Sequence, residues 1–450
     1  MIFGLDPLWT TGIIFVLTYA VIMTEKFNRA VVALLGGTFM VLAGIHTQET
    51  ALHGIDWNTI GLLTGMMVIV AITRRSGVFQ YLAIWSAKKV NAKPWGILVM
   101  LSLVTAVLSA FLDNVTTVLL IAPVSLLITE ELEIEPYPFL FAQILFSNIG
   151  GTATLIGDPP NILIGSQVES ITFNGFLVHI APIVPVVFLA TMGPIYLMWG
   201  KKLKASPEAM QRVMNFRERQ AIRDVPLLKK SLGVLFLVLI GFMFGHPAGL
   251  EPATVAMAGA AVLLFLDNMG HSPEDQSEKV HHTFGEVEWV TIFFFIGLFV
   301  IVHALEEVGA LSMLAAEVVS MTDGAETTAE ITSILSLAVM WVSAIASAVV
   351  DNIPFVATMI PTLEATMEQL REQGNALDPE QQNTIWWALS LGACLGGNGS
   401  LVGASANLIV AGFAERAGSP IRFVTFLKHA FPLMIMSIII ATIYVYLRYL

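Results

Sequence analysis

Residues 148–161 read NIGGTATLIGDPPN, and residues 396–407 read GGNGSLVGASAN. Each stretch interrupts a long apolar run, and neither can continue a regular helix. Paired glycines lower helix propensity, and Pro159-Pro160 remove backbone donors and crowd the preceding turn. A helix broken among apolar residues frees N–H and C=O groups, and its half-helix ends carry partial charge. With Asn, Thr and Ser beside them, those groups offer a dehydrated solute a ready coordination shell. Two such breaks in one chain are the sequence sign of a secondary transporter.

The surrounding composition sets these breaks in a membrane. Of 450 residues, 56% are hydrophobic and 12% charged, against about 25% charged in soluble domains. Mean hydropathy is +0.77. A disordered chain, a coiled coil and an ordinary soluble enzyme are excluded. The net charge of −12 comes without a concentrated basic stripe, which speaks against a nucleic-acid partner. Cys394 is the single cysteine, so neither a disulfide framework nor a thiolate metal cluster is expected, and no metal site or cofactor. The opening MIFGLDPLWT lacks a basic n-region and does not read as a cleaved signal peptide.

Apolar runs of spanning length fall near 8–24, 30–46, 57–73, 138–168, 177–199, 231–247, 252–267, 289–305, 384–413 and 431–449. Two further runs, 95–129 and 332–363, carry AFLDNVTT and AVVDNIPF near their middles. Each is read as a re-entrant hairpin whose polar tip lies at membrane depth, where such backbone must line a cavity or be buried in protein. With the N-terminus outside, 20 of the 22 Lys and Arg residues fall on the cytoplasmic side, as the positive-inside rule requires. Both termini are then outside, and the expected setting is a bacterial inner membrane.

The halves repeat. Asp56-Trp57-x-Thr59, Gly65 and Gly77 match Glu288-Trp289-x-Thr291, Gly297 and Gly309 at an offset of 232. Ser109, Asp113-Asn114 and Pro123 match Ser347, Asp351-Asn352 and Pro361 at 238. The breaks match at 246, and Phe173, Phe176, His179 and Pro182 match Phe423, Phe426, His429 and Pro432 at 250. Residues 1–199 and 231–450 are therefore read as two repeats of five spans and one hairpin, joined by a charged cytoplasmic linker over 200–230. Five is odd, so the second repeat is inverted. The fold class is an all-α polytopic membrane protein.

Asp113, Asp351 and Asp158 are the carboxylates expected at membrane depth. An idle Asp there costs about 2.5–3.5 kcal/mol on insertion scales, so cation binding or proton carriage is expected of them. Asp158 has an alternative role, capping a half-helix. Asn114, Asn161, Asn352 and Asn407 recur in both halves as site-lining candidates. His303, with Glu306-Glu307, and the matched His179 and His429 read as interfacial groups, and Cys394 as a packing residue.

FLDNVTTVLLIAPV, NIGGTATLIGDPPNILI, VDNIPFVATMIP and LGGNGSLVGASANLIVAG resemble the ion transporter superfamily. The likeness is to its branch of arsenite-efflux carriers, sodium/proton antiporters and the melanosomal P protein, and it runs from about residue 28 to 435. It implies hairpin tips that meet broken helices at the substrate site, and a scaffold that commonly forms a homodimer. Carried over by motif, the site comprises Asp113, Asn114, Thr116, Thr117, Asn148, Thr152, Thr154, Asp158 and Asn161. Its partner set is Asp351, Asn352, Thr358, Asn398, Ser400, Ser405 and Asn407. Pro354 stands at the Thr116 position and Ala404 at the Asp158 position, so the halves are not expected to be equivalent ion sites.

The expected function is a proton-coupled antiporter exporting arsenite or antimonite, with Na⁺/H⁺ antiport as the alternative. The partners are then a small inorganic solute, its coupling ion and the lipid bilayer. No Arg or Lys is expected at membrane depth to pair with a substrate carboxylate, which argues against a dicarboxylate carrier. An ion channel leaves the duplicated aspartates unexplained. An intramembrane aspartyl protease leaves the hairpins unexplained, so no enzyme is expected.

Overall fold

The computed structural model describes residues 6–24 and 26–450, and every regular element among them is helical. Chain order begins with α1 (Pro7–Met23), α2 (Arg29–Leu42), α3 (Trp57–Arg75) and the short α4 (Val78–Lys89). Two arms follow, α5 (Pro94–Leu112) and α6 (Asn114–Glu131), then α7 (Tyr137–Gly151), α8 (Pro159–Gln167) and the irregular α9 (Phe173–Gly200). The second half holds α10 (Val225–Phe244), α11 (Pro252–Asn268), α12 (Trp289–Glu307) and the short α13 (Ala310–Ser320). It continues with arms α14 (Thr328–Val349) and α15 (Asn352–Glu372), then α16 (Pro379–Gly396), α17 (Ser405–Arg416) and α18 (Phe423–Tyr449).

The runs read as hairpins divide at Asp113 and Asp351 into arms of 19 and 18 and of 22 and 21 residues, and the runs read as broken helices are interrupted between α7 and α8 and between α16 and α17. Eight of the described helices are long and apolar enough to cross a membrane, namely α3, α5, α6, α9, α10, α12, α14 and α18. α1 and α11 have 17 residues each, within one residue of the runs 8–24 and 252–267, whereas α2 has only 14 against the 17 of run 30–46. α2 stops because Gly44 turns the chain at a φ of 75°, although apolar residues continue to Ile45. Among the short helices that lie outside the expected runs, α4 and α13 correspond across the halves. Each starts after a glycine at positive φ, Gly77 at 83° and Gly309 at 76°, the pair matched at an offset of 232.

Packing crosses between the halves. α2 lies on α12 and α3 on α11, while arm α6 lies on α17 and arm α15 on α8. Arms α5 and α14 pack on α7 and α16 of their own halves. Every residue of 138–151 and of 384–396 is buried, so α7 and α16 form the centre of the bundle. Small residues make that depth possible, since membrane helices associate by close backbone approach rather than by hydrophobic exclusion. A Cβ on Gly150 would overlap the Ala106 backbone of α5, and one on Gly396 would lie 2.6 Å from the Ala344 Cα of α14. The breaks are thereby pressed against the hairpins.

Candidate functional site

The two hairpin tips are built as helix caps. The Asp113 carboxylate accepts from the Thr116 backbone N–H at 2.7 Å and from the Thr116 hydroxyl at 2.6 Å, capping α6. Its backbone takes a φ of 112°, a region that residues other than glycine rarely adopt. Asp351 caps α15 through the Ile353 N–H at 3.0 Å, and its second oxygen accepts from the Ser405 hydroxyl at 2.8 Å. Arm α15 is thus tied to α17.

Asp351 is also paired with a cation. The Arg29 guanidinium donates to it at 2.7 Å, donates to Ser405, and lies 4.9 Å from the centre of the Phe294 ring. From the sequence, no Arg or Lys is expected at membrane depth to pair with a substrate carboxylate; Arg29 does reach the hairpin tip, where its partner is the chain's own Asp351. Asn28 caps α2 by accepting from the Ala30 N–H at 2.9 Å, which makes Arg29 the first helical residue. Hydropathy places that residue at the rim of its own span. It cannot show that the rim of α2 stands level with the tip of another hairpin.

Between the tips, four asparagines from four elements join into one network. The Asn114 amide donates to Asn148 Oδ1 at 3.0 Å, and Asn148 Nδ2 donates to Asn398 Oδ1 and Asn407 Oδ1, both at 3.0 Å. Asn398 Nδ2 reaches the Leu145 carbonyl at 3.3 Å. Each break is also held from within. Asn161 Nδ2 donates to the Gly151, Thr152 and Thr154 carbonyls at 3.4, 3.3 and 3.0 Å. Asn407 Nδ2 donates to the Gly397 and Ser400 carbonyls, both at 2.8 Å. These amides satisfy carbonyls that the interrupted helices leave open.

Asp158 stands apart from this satisfied framework. It occupies the residue before α8, yet its carboxylate takes no N–H there as a cap. The capping alternative raised by the sequence therefore falls to Asp113 and Asp351 instead. Asp158 is fully buried; its Oδ1 accepts from Asn352 Nδ2 at 3.4 Å, while Oδ2 has no partner among the described residues. Asn114 Oδ1 and Thr117 Oγ1 are likewise buried without partners. Native proteins pair nearly all buried polar groups, so three such oxygens in one hairpin-and-break layer call for an explanation.

The remaining candidates hold backbone. The Thr154 hydroxyl donates to the Ala110 carbonyl, the Thr152 hydroxyl to the Asn148 carbonyl at 2.8 Å, and Ser400 Oγ accepts from the Val402 N–H at 3.1 Å. Thr358 is not brought to the asparagine network; it faces Tyr19 of α1, 3.3 Å from its hydroxyl. His179 and His429 each meet a tyrosine hydroxyl, Tyr449 at 2.7 Å and Tyr137 at 3.3 Å. Sequence reasoning missed Arg29, and it missed that the Ser390 hydroxyl and the Cys394 thiol donate to Asn161 Oδ1 at 2.7 and 3.3 Å. Their helical spacing of four was the available signal.

Among the described residues the geometry provides many acceptor oxygens, two carboxylates without a charged partner, Asp113 held by Thr116 and Asp158 with one oxygen unpaired, and one arginine already bonded to Asp351. Such a site suits a proton, a small cation or a neutral hydroxide better than a free polyanion, which needs several unpaired donors.

A family model described as a citrate transporter, CitMHS, matches residues 19–392. A 46 kDa membrane protein of Mycobacterium leprae is 41% identical over 442 residues, covering 97% of this chain and 98% of that one. An uncharacterized transporter of Mycobacterium tuberculosis is also 41% identical, covering 97% of each chain. The P protein of Homo sapiens is 32% identical over 501 residues, covering 95% of this chain and 58% of that longer protein. Among solved structures, the YdaH transporter of Alcanivorax borkumensis aligns over 99% of both chains with a TM-score of 0.54 at 13% identity. It shares the fold.

Proposed function

This chain belongs to the CitMHS citrate transporter family, within the ion transporter superfamily, and we propose that it is a proton-coupled antiporter for a small inorganic solute. The observation that carries this reading is Asp158, a buried carboxylate that, among the described residues, has one unpaired oxygen and no basic side chain bonded to it. An ionised carboxylate in that position is costly until it receives a proton or a cation. The two loaded states are stabilised and the empty ionised state is not, which is the asymmetry an exchanger needs to avoid leakage.

Arsenite and antimonite are the first cargo proposed. As neutral hydroxides they bring O–H donors to a layer whose unpaired side-chain groups include the Asn114 amide oxygen, the Thr117 hydroxyl and the Asp158 carboxylate. Those same oxygens also suit Na⁺, a hard cation, and keep Na⁺/H⁺ antiport as the second reading. Citrate, after which the family model is described, carries several negative charges, while the one arginine at the tips is already bonded to Asp351. The two halves are read as inverted repeats, with the linker on the cytoplasmic side and the chain in a bacterial inner membrane.

The test is flux into proteoliposomes of arsenite, Na⁺ and citrate, the last with and without a divalent cation, each with and without an imposed pH gradient. Arsenite movement that follows the gradient and collapses with a protonophore is expected. Movement of citrate alone would overturn the reading.

A further inference from the structure

The hairpin tips carry the same Asp-Asn pair but solve its charge differently. At the first tip, Asp113 is satisfied by Thr116 of its own arm. At the second, Pro354 replaces that threonine, and the vacated side of Asp351 is taken by Ser405 and by Arg29. Arg29 belongs to α2, which packs on α1 and α12, whereas Asp351 and Ser405 belong to α15 and α17. The ion pair therefore adds a charged link between α2 and the second tip, beside the packing of α12 on α15 and the Tyr19 hydroxyl of α1 on the Pro354 carbonyl. A cavity of about 320 Å³ opens beside it, lined by Ile22, Phe27, Arg29, Asp351, Val402 and Leu408.

We propose that Arg29 is a tethered cation that exchanges with the coupling proton at Asp351 during each transport cycle. When the unit formed by Asp351 and Ser405 at this tip moves away from α2, Arg29 withdraws into the cavity, and Asp351 Oδ2 takes one proton from hydronium in the cavity water. When the unit returns, that proton leaves and the guanidinium resumes its place. The carboxylate is neutralised in both states, by an attached charge in one and by an O–H bond in the other, so the tip never crosses the apolar interior ionised and alone. The pairing also separates the halves, since a cation site at the second tip is filled from within the chain.

The groups facing Asp351 are few. Arg29 comes from α2, the Tyr19 hydroxyl from α1 meets the Pro354 carbonyl at 3.1 Å, and α17 brings Ser405. Asp158 on α8 is one side chain away through Asn352. α12 offers the Phe294 ring, with Glu288 at its N-terminal cap. Glu330 of α14 and Glu380 of α16 lie at the opposite ends of their helices from the tip.

This inference rests on the proton-coupled reading and is tested apart from it. Full-length chain in proteoliposomes would be compared as wild type, R29Q, D351N and R29Q/D351N, with flux measured across pH. Without its tethered cation, Asp351 must be protonated to be neutral, so R29Q flux should fall about tenfold per pH unit on the alkaline side. In wild type the guanidinium competes with that proton, so the same fall should begin at lower pH. D351N should flatten that dependence, and adding R29Q to D351N should change little. R29K, which keeps the charge, should retain the wild-type profile at reduced flux, and it serves if R29Q does not fold. Independent, multiplicative losses from R29Q and D351N, or an R29Q profile that falls at the same pH as wild type, would overturn the exchange. Wild-type flux indifferent to a protonophore would instead sink the proton-coupled reading itself.

Discussion

The side-chain amide of Asn148 donates to Asn407 Oδ1 at 3.0 Å, so the helix break of one half is hydrogen-bonded to the helix break of the other. The same nitrogen serves Asn398, and the same residue's oxygen receives Asn114 from the first hairpin. One buried side chain therefore connects three elements of the site to its own.

Asn148→Ala leaves Asn114 Nδ2, Asn398 Oδ1 and Asn407 Oδ1 without that partner in a buried layer. Each stranded group costs about 1–3 kcal/mol, and the losses should make this among the most destabilising substitutions in the chain. Thermal unfolding in detergent should show a large fall in Tm. A Tm equal to wild type would mean that the network is not holding the breaks together.

Asp113 and Asp158 should separate stability from transport. Asp113 caps α6, so Asp113→Ala should lower stability by about 1 kcal/mol, whereas Asp113→Asn keeps a good cap and should fold normally. Asp158 caps nothing, so Asp158→Asn should leave Tm nearly unchanged and abolish pH-driven flux. The pair of measurements is Tm and flux on the same preparations; coupled flux surviving in D158N would remove Asp158 from the mechanism.

Glycine at 150 is set by contact, not by conformation. A Cβ there overlaps the Ala106 carbonyl and Cα of arm α5, both of them backbone, so the hairpin must move away from the break. Gly150→Ala should cost at least the roughly 1–3 kcal/mol typical of overpacking and reduce flux. Gly12→Ala, where nothing lies within 4 Å, should do neither. Equal behaviour of the two variants would show that the hairpin tolerates displacement.

The breaks and hairpin tips are legible in the sequence because their physics is local: Gly-Gly, Pro-Pro and a buried Asp-Asn each violate the helical pattern where they stand. Asn114, Asn161, Asn352 and Asn407 are legible as candidates because they recur in both halves, while Asn148 and Asn398 enter only through the family resemblance. Their division of labour is not legible. Asn161 and Asn407 hold carbonyls of their own breaks, while Asn114 and Asn148 reach across elements, and only three-dimensional register decides which does which. Arg29 escapes for a related cause, since a charged residue at the end of one apolar run looks like a rim anchor until another hairpin tip is placed against it. The 14-residue α2 shows the limit of counting apolar residues: composition marks a run of 17, and the turn at Gly44 shortens the helix.

The linker should detach on acidification. Lys88 Nζ lies 2.6 Å from Glu218 Oε2 and 2.9 Å from the Phe216 carbonyl, and the Arg223 N–H donates to the Ser76 carbonyl at 2.9 Å. The Lys88 ammonium beside Glu218 holds its carboxyl below the usual carboxylate range. The docked linker consequently binds fewer protons there than the released one, and the attachment is complete above the ordinary Glu range and lost as pH falls through the lowered value. Exposed pairs contribute little to global stability, so the readout is local: proteolytic cleavage within 207–223 should accelerate at acid pH and at high salt. Lys88→Met should cleave fast at every pH, and cleavage independent of both pH and Lys88 would refute the attachment.

The linker also offers the test of orientation. Nine of the chain's 22 Lys and Arg residues fall in its 200–230 segment, and such clusters are retained on the cytoplasmic side of a membrane. Labelling requires a background without the native thiol, and the choice of replacement matters. Cys394 is fully buried and its thiol donates to Asn161 Oδ1 at 3.3 Å, so Cys394→Ser keeps a donor where Cys394→Ala removes one. On that background, Glu208→Cys in the linker and Gln373→Cys after α15 are both exposed positions. An impermeant maleimide added outside intact cells should label the cysteine at 373 and spare the one at 208, and inverted vesicles should reverse the pattern. Labelling of both from one face would mean that an odd number of crossings does not separate them, and the inverted repeat would fall with it.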